Sequence, residues 1–371
     1  MNERNPFILS PAGRGLHAAF ALLIVPLGVT AAEPPPRKPS AILASKPDEP
    51  RAKALSLARS AEFLDAVTRT WIKERKCVSC HTGIPYLMAR QALGDSKAPA
   101  LVEVRKFFED RVAAWDGGAK GAGYLKGKGL LKDSEGVTEV VTIAATLALH
   151  DAQSTGKLHA RTRQALERMW ELQQQDGSWA WNKTRLEPLE NDDYYGAVYA
   201  ALGVGHAPEE YARSKAAKKG LARLKVYFKK NSAPNLHHKT WLLWASLKLE
   251  GLMTKAQRQK TIKELLALQR KDGGWSLPSL GDWKRHNGKA NQKQAPSDGY
   301  ATGLVIYVLR QGGVAATEEP MRRGVKWLET NQRTSGRWFT RSVNADRAHY
   351  ITHAGTAYAV LALQACKAVN N

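Results

Sequence analysis

Cysteine is scarce in this chain, with three in 371 residues. Three cannot build a disulfide scaffold: at most Cys77 and Cys80 pair, leaving Cys366, so a hydrophobic core must hold the fold. Acids are also scarce, 34 Asp and Glu against 56 Lys and Arg, for a formal net charge of +22. That excess implies an anionic neighbour: lipid head groups, an envelope polyanion, an acidic protein or a phosphorylated ligand. No nucleic-acid motif accompanies it, and nucleic acid is not an expected partner. No apolar run is long enough for a committed membrane span. The longest, "LHAAFALLIVPLGV", follows Arg4 and Arg14 and precedes the small-residue stretch "TAAEPPP". It reads as a secretory signal peptide over residues 1–32, cut near Ala32, which predicts an exported protein, periplasmic or extracellular. Without that segment's Arg4, Arg14 and Glu3 the chain keeps about +21. Residues 33–50, rich in Pro, Lys and Ser, read as a disordered leader, and residues 51–371 as one repeat-built domain.

Three stretches repeat one pattern: "QQQDGSWAW" with Gln173, Gly177 and Trp179; "QRKDGGWSL" with Gln269, Gly273 and Trp275; "QRTSGRWFT" with Gln332, Gly336 and Trp338. Each closes an amphipathic helix. The glycine supplies a left-handed terminator, and the tryptophan packs back over the helix end. After each comes a helix apolar on all sides, such as "DDYYGAVYAALGVG", "SDGYATGLVIYVL" and "YITHAGTAYAVLAL". One-sided helices belong outside and all-round apolar ones inside. The alternation predicts outer helices at 51–75, 98–115, 159–174, 208–230, 254–270 and 317–332. Inner ones are predicted at 81–93, 136–151, 191–204, 236–250, 297–311 and 350–367. Six pairs without polar capping repeats suit a closed ring better than an open solenoid.

The fullest copy, "RGVKWLETNQRTSGRW" from Arg323 to Trp338, resembles the QW repeat of squalene-hopene cyclases and related terpene cyclases. The resemblance implies an all-α fold, an α6/α6 toroid of six inner and six outer helices with a ligand cavity at one mouth. It also implies an apolar, isoprenoid-like small molecule as one candidate ligand. The wider superfamily includes protein prenyltransferases and thioester complement fragments, so the fold leaves function open. In such a ring the inner helices start at one end. His81, Glu190, Asp192, Asp193, His237, His238, Asp298 and His353 would converge there, under helix dipoles that favour an anion. Tyr195, Asp298, Tyr300, His238 and His353 are the expected cavity residues.

"PLENDDYYGA" is similar to the Asp-x-Asp-Asp motif of class II terpene cyclases. The resemblance makes Asp192 the proton donor, flanked by Asp193 and Glu190, the latter replacing an Asp. Such an acid has to be kept protonated by a neighbouring carboxylate and an apolar cavity. The plainer reading makes Asn191 or Asp192 a helix N-cap, with Asp193 complementing the dipole. "PSDGYATG" and "THAGTAY" match zinc prenyltransferases at Asp298, Gly299 and His353. The thiolate ligand of that family is missing, so zinc is not expected.

Cys77-Val78-Ser79-Cys80-His81 is the attachment signature of c-type haem, with two thioethers and an iron-ligating histidine. Export supplies the compartment that attachment needs. A redox pair or a Cys77–Cys80 disulfide, a zinc site and a chance match are the alternatives. Haem c would take Cys77, Cys80 and the metal ligand His81, and would call for a redox partner. Three functions follow: a haem-carrying binding or electron-transfer protein, a terpene-cyclase-like enzyme, or a non-catalytic envelope protein binding polyanions or anionic lipid. Two long basic connections, with Lys120, Lys126, Lys128 and Lys132 in one and Lys284, Arg285, Lys289 and Lys293 in the other, are candidate lids.

Overall fold

The computed structural model describes residues 43–115, 134–189 and 191–367. The signal-peptide reading, Glu190 and the lysines of the first basic connection lie outside the described residues. Within them the chain is all-helical, with twelve α-helices and no strand. One set comprises α1 (Leu57–Arg75), α3 (Pro99–Ala114), α5 (Ala160–Glu171), α7 (Lys215–Lys230), α9 (Lys255–Ala267) and α11 (Glu319–Asn331). The intervening set comprises α2 (Ile84–Ala89), α4 (Ser134–Ser154), α6 (Asp193–His206), α8 (Leu236–Ser246), α10 (Gly299–Gln311) and α12 (Ile351–Lys367).

Burial separates the two sets as their composition requires. In α11 only Met321, Gly324, Trp327 and Leu328 are buried, a stripe at helical spacing. In α6 every residue from Tyr194 to Val204 is buried. The second set therefore packs on itself: α2 against α4, α4 against α6, α6 against α8, α8 against α10, α10 against α12, and α12 against α2. The α10–α12 approach depends on missing side chains, since a Cβ at Gly303 would lie 2.4 Å from the Ala359 backbone nitrogen.

The three repeated motifs fold alike. Gly177, Gly273 and Gly336 have φ of 97°, 91° and 91°, the left-handed conformation that ends a helix cheaply only with glycine. A Cβ on each would meet the next outer helix, 2.4 Å from the Arg223 carbonyl oxygen, 2.7 Å from that of Arg323 and 2.3 Å from that of Arg59. The indole N–H of Trp179, Trp275 and Trp338 donates to the carbonyls of Met169, Leu265 and Leu328 at 2.8, 2.7 and 2.8 Å. The glutamine role was not anticipated from sequence. Gln173 donates to Gly177 and Gly220, Gln269 to Gly273 and Pro320, and Gln332 to Gly336 and Ser56. Each amide thus closes its own turn and ties down the following outer helix, and the last tie returns to the N-cap of α1.

Several expected segments differ in form, among them the outer helix expected from 51, which begins at Leu57. The inner helix expected at 81–93 is a short α2 between a π-turn at Ser79–Gly83 and a 3-10 turn at Arg90–Leu93. The outer helix expected from 208 begins at Lys215, because the Ser214 side chain caps it by accepting from the Ala217 N–H at 3.2 Å. Residues 43–50, read as the end of a disordered leader, are docked. Glu49 forms an ion pair with Arg337 and accepts from the Ser335 N–H at 2.7 Å, and the Ser45 N–H donates to Ala348 at 2.8 Å. Composition alone concealed that specific acid.

Candidate functional site

The cysteine-histidine stretch sits in irregular backbone. Lys76 caps α1 with φ 53°, and Ser79, with φ 56°, opens the π-turn. Two non-glycine residues in the left-handed region within four positions are costly, and such strain persists where surroundings enforce it. Gly83 contributes to the enforcement, since a Cβ there would fall 2.3 Å from the Val78 carbonyl oxygen.

Cys77 and Cys80 are half-buried. The Cys77 sulfur accepts from the Ser79 N–H at 3.3 Å. Cys80 lies within electrostatic reach of the interior tyrosines Tyr195, Tyr199 and Tyr358. The His81 ring stacks on Tyr350 (centroids 5.7 Å) and meets Trp71 edge-on at 4.6 Å. Its Nδ1 is 2.7 Å from the Thr82 hydroxyl, which lies 2.9 Å from His353 Nδ1, and His353 Nε2 donates to the Leu43 carbonyl at 3.0 Å. Ser79 Oγ lies 3.4 Å from His81 Nε2. Burial holds both imidazoles neutral, lowering His81 to about 4 and, with His81 beside it, His353 to about 3. This donor set suits c-type haem chemistry: two thiols three residues apart, then a neutral imidazole whose Nδ1 is already fixed by a hydrogen bond. His353 has both nitrogens engaged.

A second group forms at the starts of α6 and α8. Asp192 is the N-cap of α6, accepting from the Tyr195 N–H at 2.9 Å. Its other oxygen is 2.9 Å from His238 Nε2, while His238 Nδ1 is 2.7 Å from Asn235 Oδ1. Both ring nitrogens of His238 thus face oxygen atoms, one of the Asp192 carboxylate and one of the Asn235 amide. Burial raises the Asp192 carboxyl, but the hydrogen bond and attraction of His238, with the Tyr195 and Tyr194 N–H groups, outweigh it and leave it below the ordinary value. That direction opposes the protonated acid required for alkene protonation. Asp193 takes the Trp181 N–H at 3.0 Å and pairs with Lys183 at 2.9 Å.

Between these groups lies an aromatic interior. Tyr195 stacks on His237 at 5.8 Å, and the Tyr300 hydroxyl donates to His237 Nε2 at 2.9 Å. The Trp241 N–H also points at that nitrogen, 3.1 Å away. The proton of this neutral ring therefore sits on Nδ1, which is buried without a hydrogen-bond partner among the described residues. Trp283 Nε1, on the neighbouring ring, is likewise buried and unpartnered. The tyrosine hydroxyls of Tyr195, Tyr199 and Tyr358 influence one another electrostatically. Those of Tyr195 and Tyr358 nevertheless have no partner at normal hydrogen-bond geometry.

Asp298 belongs to a different space. It caps α10, accepts from the N–H of Ala301 (2.9 Å) and Leu277 (2.5 Å), and is pushed up to about 7 by burial against those hydrogen bonds. It forms part of a cavity of about 560 Å³ that none of the other expected cavity residues lines. His81 and His353 are thus joined through Thr82, and Asp192, His238, Tyr195, His237 and Tyr300 form a continuous group, while Asp298 faces elsewhere. Thr82, Asn235, Trp71 and Tyr350 were missed in the sequence. Only Thr82, directly after the motif, carried a positional hint.

No known protein-family model matches the chain. No curated protein matches it either.

Proposed function

We propose that this chain is an exported, squalene-hopene-cyclase-like α/α toroid that carries covalent haem c on Cys77, Cys80 and His81 and serves as a binding or electron-transfer protein. The toroid reading draws support from the neighbour order of the even-numbered helices, which returns from α12 to α2. Gln332 of the last outer helix tied to Ser56 at the first supports it independently. The observation that carries the functional reading is the strained turn: left-handed Lys76 and Ser79 bracket Cys77 and lead into a π-turn holding Cys80 and His81. π-turns and left-handed non-glycine residues concentrate at functional sites, and a simple helix start would need neither.

When bound, haem would supply a one-electron couple. The protein's own residues would do the rest. Cys77 and Cys80 would anchor the group, and Thr82 would fix the tautomer and rotation of His81. Trp71 and Tyr350 would hold the ring in place and exclude water. The positive excess favours an acidic redox partner or an anionic envelope surface. The cyclase alternative is disfavoured because His238 holds Asp192 ionised.

The test is spectroscopic. Chain produced in a haem-attaching host should show a Soret band and a haem-sized mass increment that survives denaturation, both lost in Cys77→Ala. A colourless, unmodified protein from that host would reject the proposal.

A further inference from the structure

The cavity of about 560 Å³ beside Asp298 lies between the α9–α10 connection, α11, the α11–α12 connection and the docked segment around residue 50. Its size is that of a small organic molecule, well beyond a bare ion. Trp327 and Phe339 give it aromatic walls, and Pro47, Pro278 and Ala295 add apolar surface. The Trp327 ring is pinned by its N–H bond to Asp272 at 3.1 Å, and Phe339 meets His349 edge-on. These walls are therefore set before any ligand arrives.

The charged residues lining the cavity are Arg51, Arg333 and Arg341 and the acids Asp272, Asp298 and Asp346. Asp346 is shared by Arg341, through two contacts of 2.5 and 2.6 Å, and Arg285 at 2.9 Å. Asp272 is taken up by Trp327, Ser297 and the Gly274 N–H. Arg51 and Arg333 pair across an antiparallel bridge, and Arg333 Nη1 also donates to the Glu49 carbonyl. Like charges directly opposite repel, and the Arg333 guanidinium is lowered by burial and then by Arg51, against the opposing pull of Glu49 and Asp48. Of the two neighbouring acids, Glu49 is committed to Arg337 and Ser335, and Asp48 is exposed. An anion between Arg51 and Arg333 would relieve that repulsion.

The geometry points to this cavity as a binding site for an amphipathic organic anion, its apolar body against Trp327 and Phe339 and its single anionic head at Arg51 and Arg333. The inference is independent of haem attachment, so the Cys77→Ala protein, free of haem absorption, is the form to test.

Anilinonaphthalene sulfonate, a flat apolar body with one anionic group, is the probe, read by its fluorescence. Saturable single-site binding is expected, displaced by decanoate but not by the same concentration of inorganic phosphate. Arg51→Glu, at an exposed position, should weaken it roughly ten-fold or more, because a charge-assisted contact becomes repulsive. Arg161→Glu, on the exposed face of α5, should leave it unchanged, with circular dichroism confirming that both variants fold. Binding that ignores Arg51→Glu, equal displacement by phosphate, or no saturable binding would each overturn the assignment. Trp327→Leu gives a second reading, since loss of the ring should weaken the probe even with both arginines present.

Discussion

His238 Nε2 lies 2.9 Å from the Asp192 carboxylate, and this contact joins the first turns of α6 and α8. The same carboxylate caps α6 through the Tyr195 N–H. One side chain thus caps a helix start and gives a hydrogen-bond partner to a neighbouring ring that has no exposed surface. The acid of an apparent catalytic motif has a structural task that requires it to be ionised.

Asp192→Asn and Asp192→Ala separate these tasks. Asn retains a capping oxygen and loses the carboxylate contact with His238, whereas Ala loses both. We expect Ala to cost about 2–3 kcal/mol in urea denaturation, the sum of a lost cap and an unpaired buried imidazole, and Asn to cost less. A general acid would behave in the opposite way, with stability kept and turnover of an isoprenoid substrate lost.

Gly336 and Gly313 offer a matched pair, with φ of 91° and 93°. Alanine at 313 meets nothing within 4 Å, so it incurs only the left-handed strain, about 1 kcal/mol. Alanine at 336 would place its Cβ 2.3 Å from the Arg59 carbonyl oxygen, forcing α1 away from the α11 turn. Gly336→Ala should therefore cost at least about 3 kcal/mol, and thermal denaturation of the two variants checks the difference.

The helix alternation was legible in the sequence because burial leaves a periodic trace: α11 shows its stripe, and α6 its unbroken apolar surface. The glycine and tryptophan of the repeats were legible for the same reason, since turn conformation and aromatic packing restrict residue type locally. The glutamine ties were not. Gln332 bonds Ser56 across 276 positions, and nothing local marks a partner that distant. The motif residues Cys77, Cys80 and His81 were visible, yet Thr82 gains its meaning only from His353, 271 positions away. Likewise, the Asp298 cavity depends on Arg51 and Arg333 meeting through chain pairing, which periodicity does not encode.

Acid should destabilise this protein over a defined window. His81, His150 and His206 are lowered to about 4 and His353 to about 3, each chiefly by burial. In the unfolded chain they titrate near 6.5, so between that pH and about 4 the unfolded state binds up to four more protons at these residues, and stability falls as pH falls. Asp298 acts in the opposite sense. Its folded value of about 7 exceeds the ordinary 3.8, so the folded state gains its proton first and stability rises as pH falls through 7. The histidines outnumber it. The slope of unfolding free energy against pH in this window should become steeper in Asp298→Asn and shallower in His353→Gln, measured by urea denaturation at stepped pH.

The Thr82 hydroxyl gives the sharpest test of the cysteine-histidine turn as a built arrangement. It is 1 % exposed and lies 2.7 Å from His81 Nδ1 and 2.9 Å from His353 Nδ1. One hydroxyl can donate to one ring and accept from the other, so the two imidazoles must carry complementary tautomers. His353 donates its Nε2 proton to the Leu43 carbonyl, so its Nδ1 is the acceptor and the His81 Nδ1–H is the donor. Thr82→Val keeps the shape and removes the bridge, leaving His353 Nδ1 without a partner at about 1–3 kcal/mol and His81 Nδ1 with only the longer Ser79 hydroxyl contact at 3.3 Å. Thr82→Ser retains the oxygen and should recover most of that loss. Nitrogen-15 spectra of the imidazoles should show the Nδ1-protonated tautomer of His81 in the wild type and in Thr82→Ser. In Thr82→Val that preference should vanish, and an unchanged tautomer there would mean that the hydroxyl orients nothing.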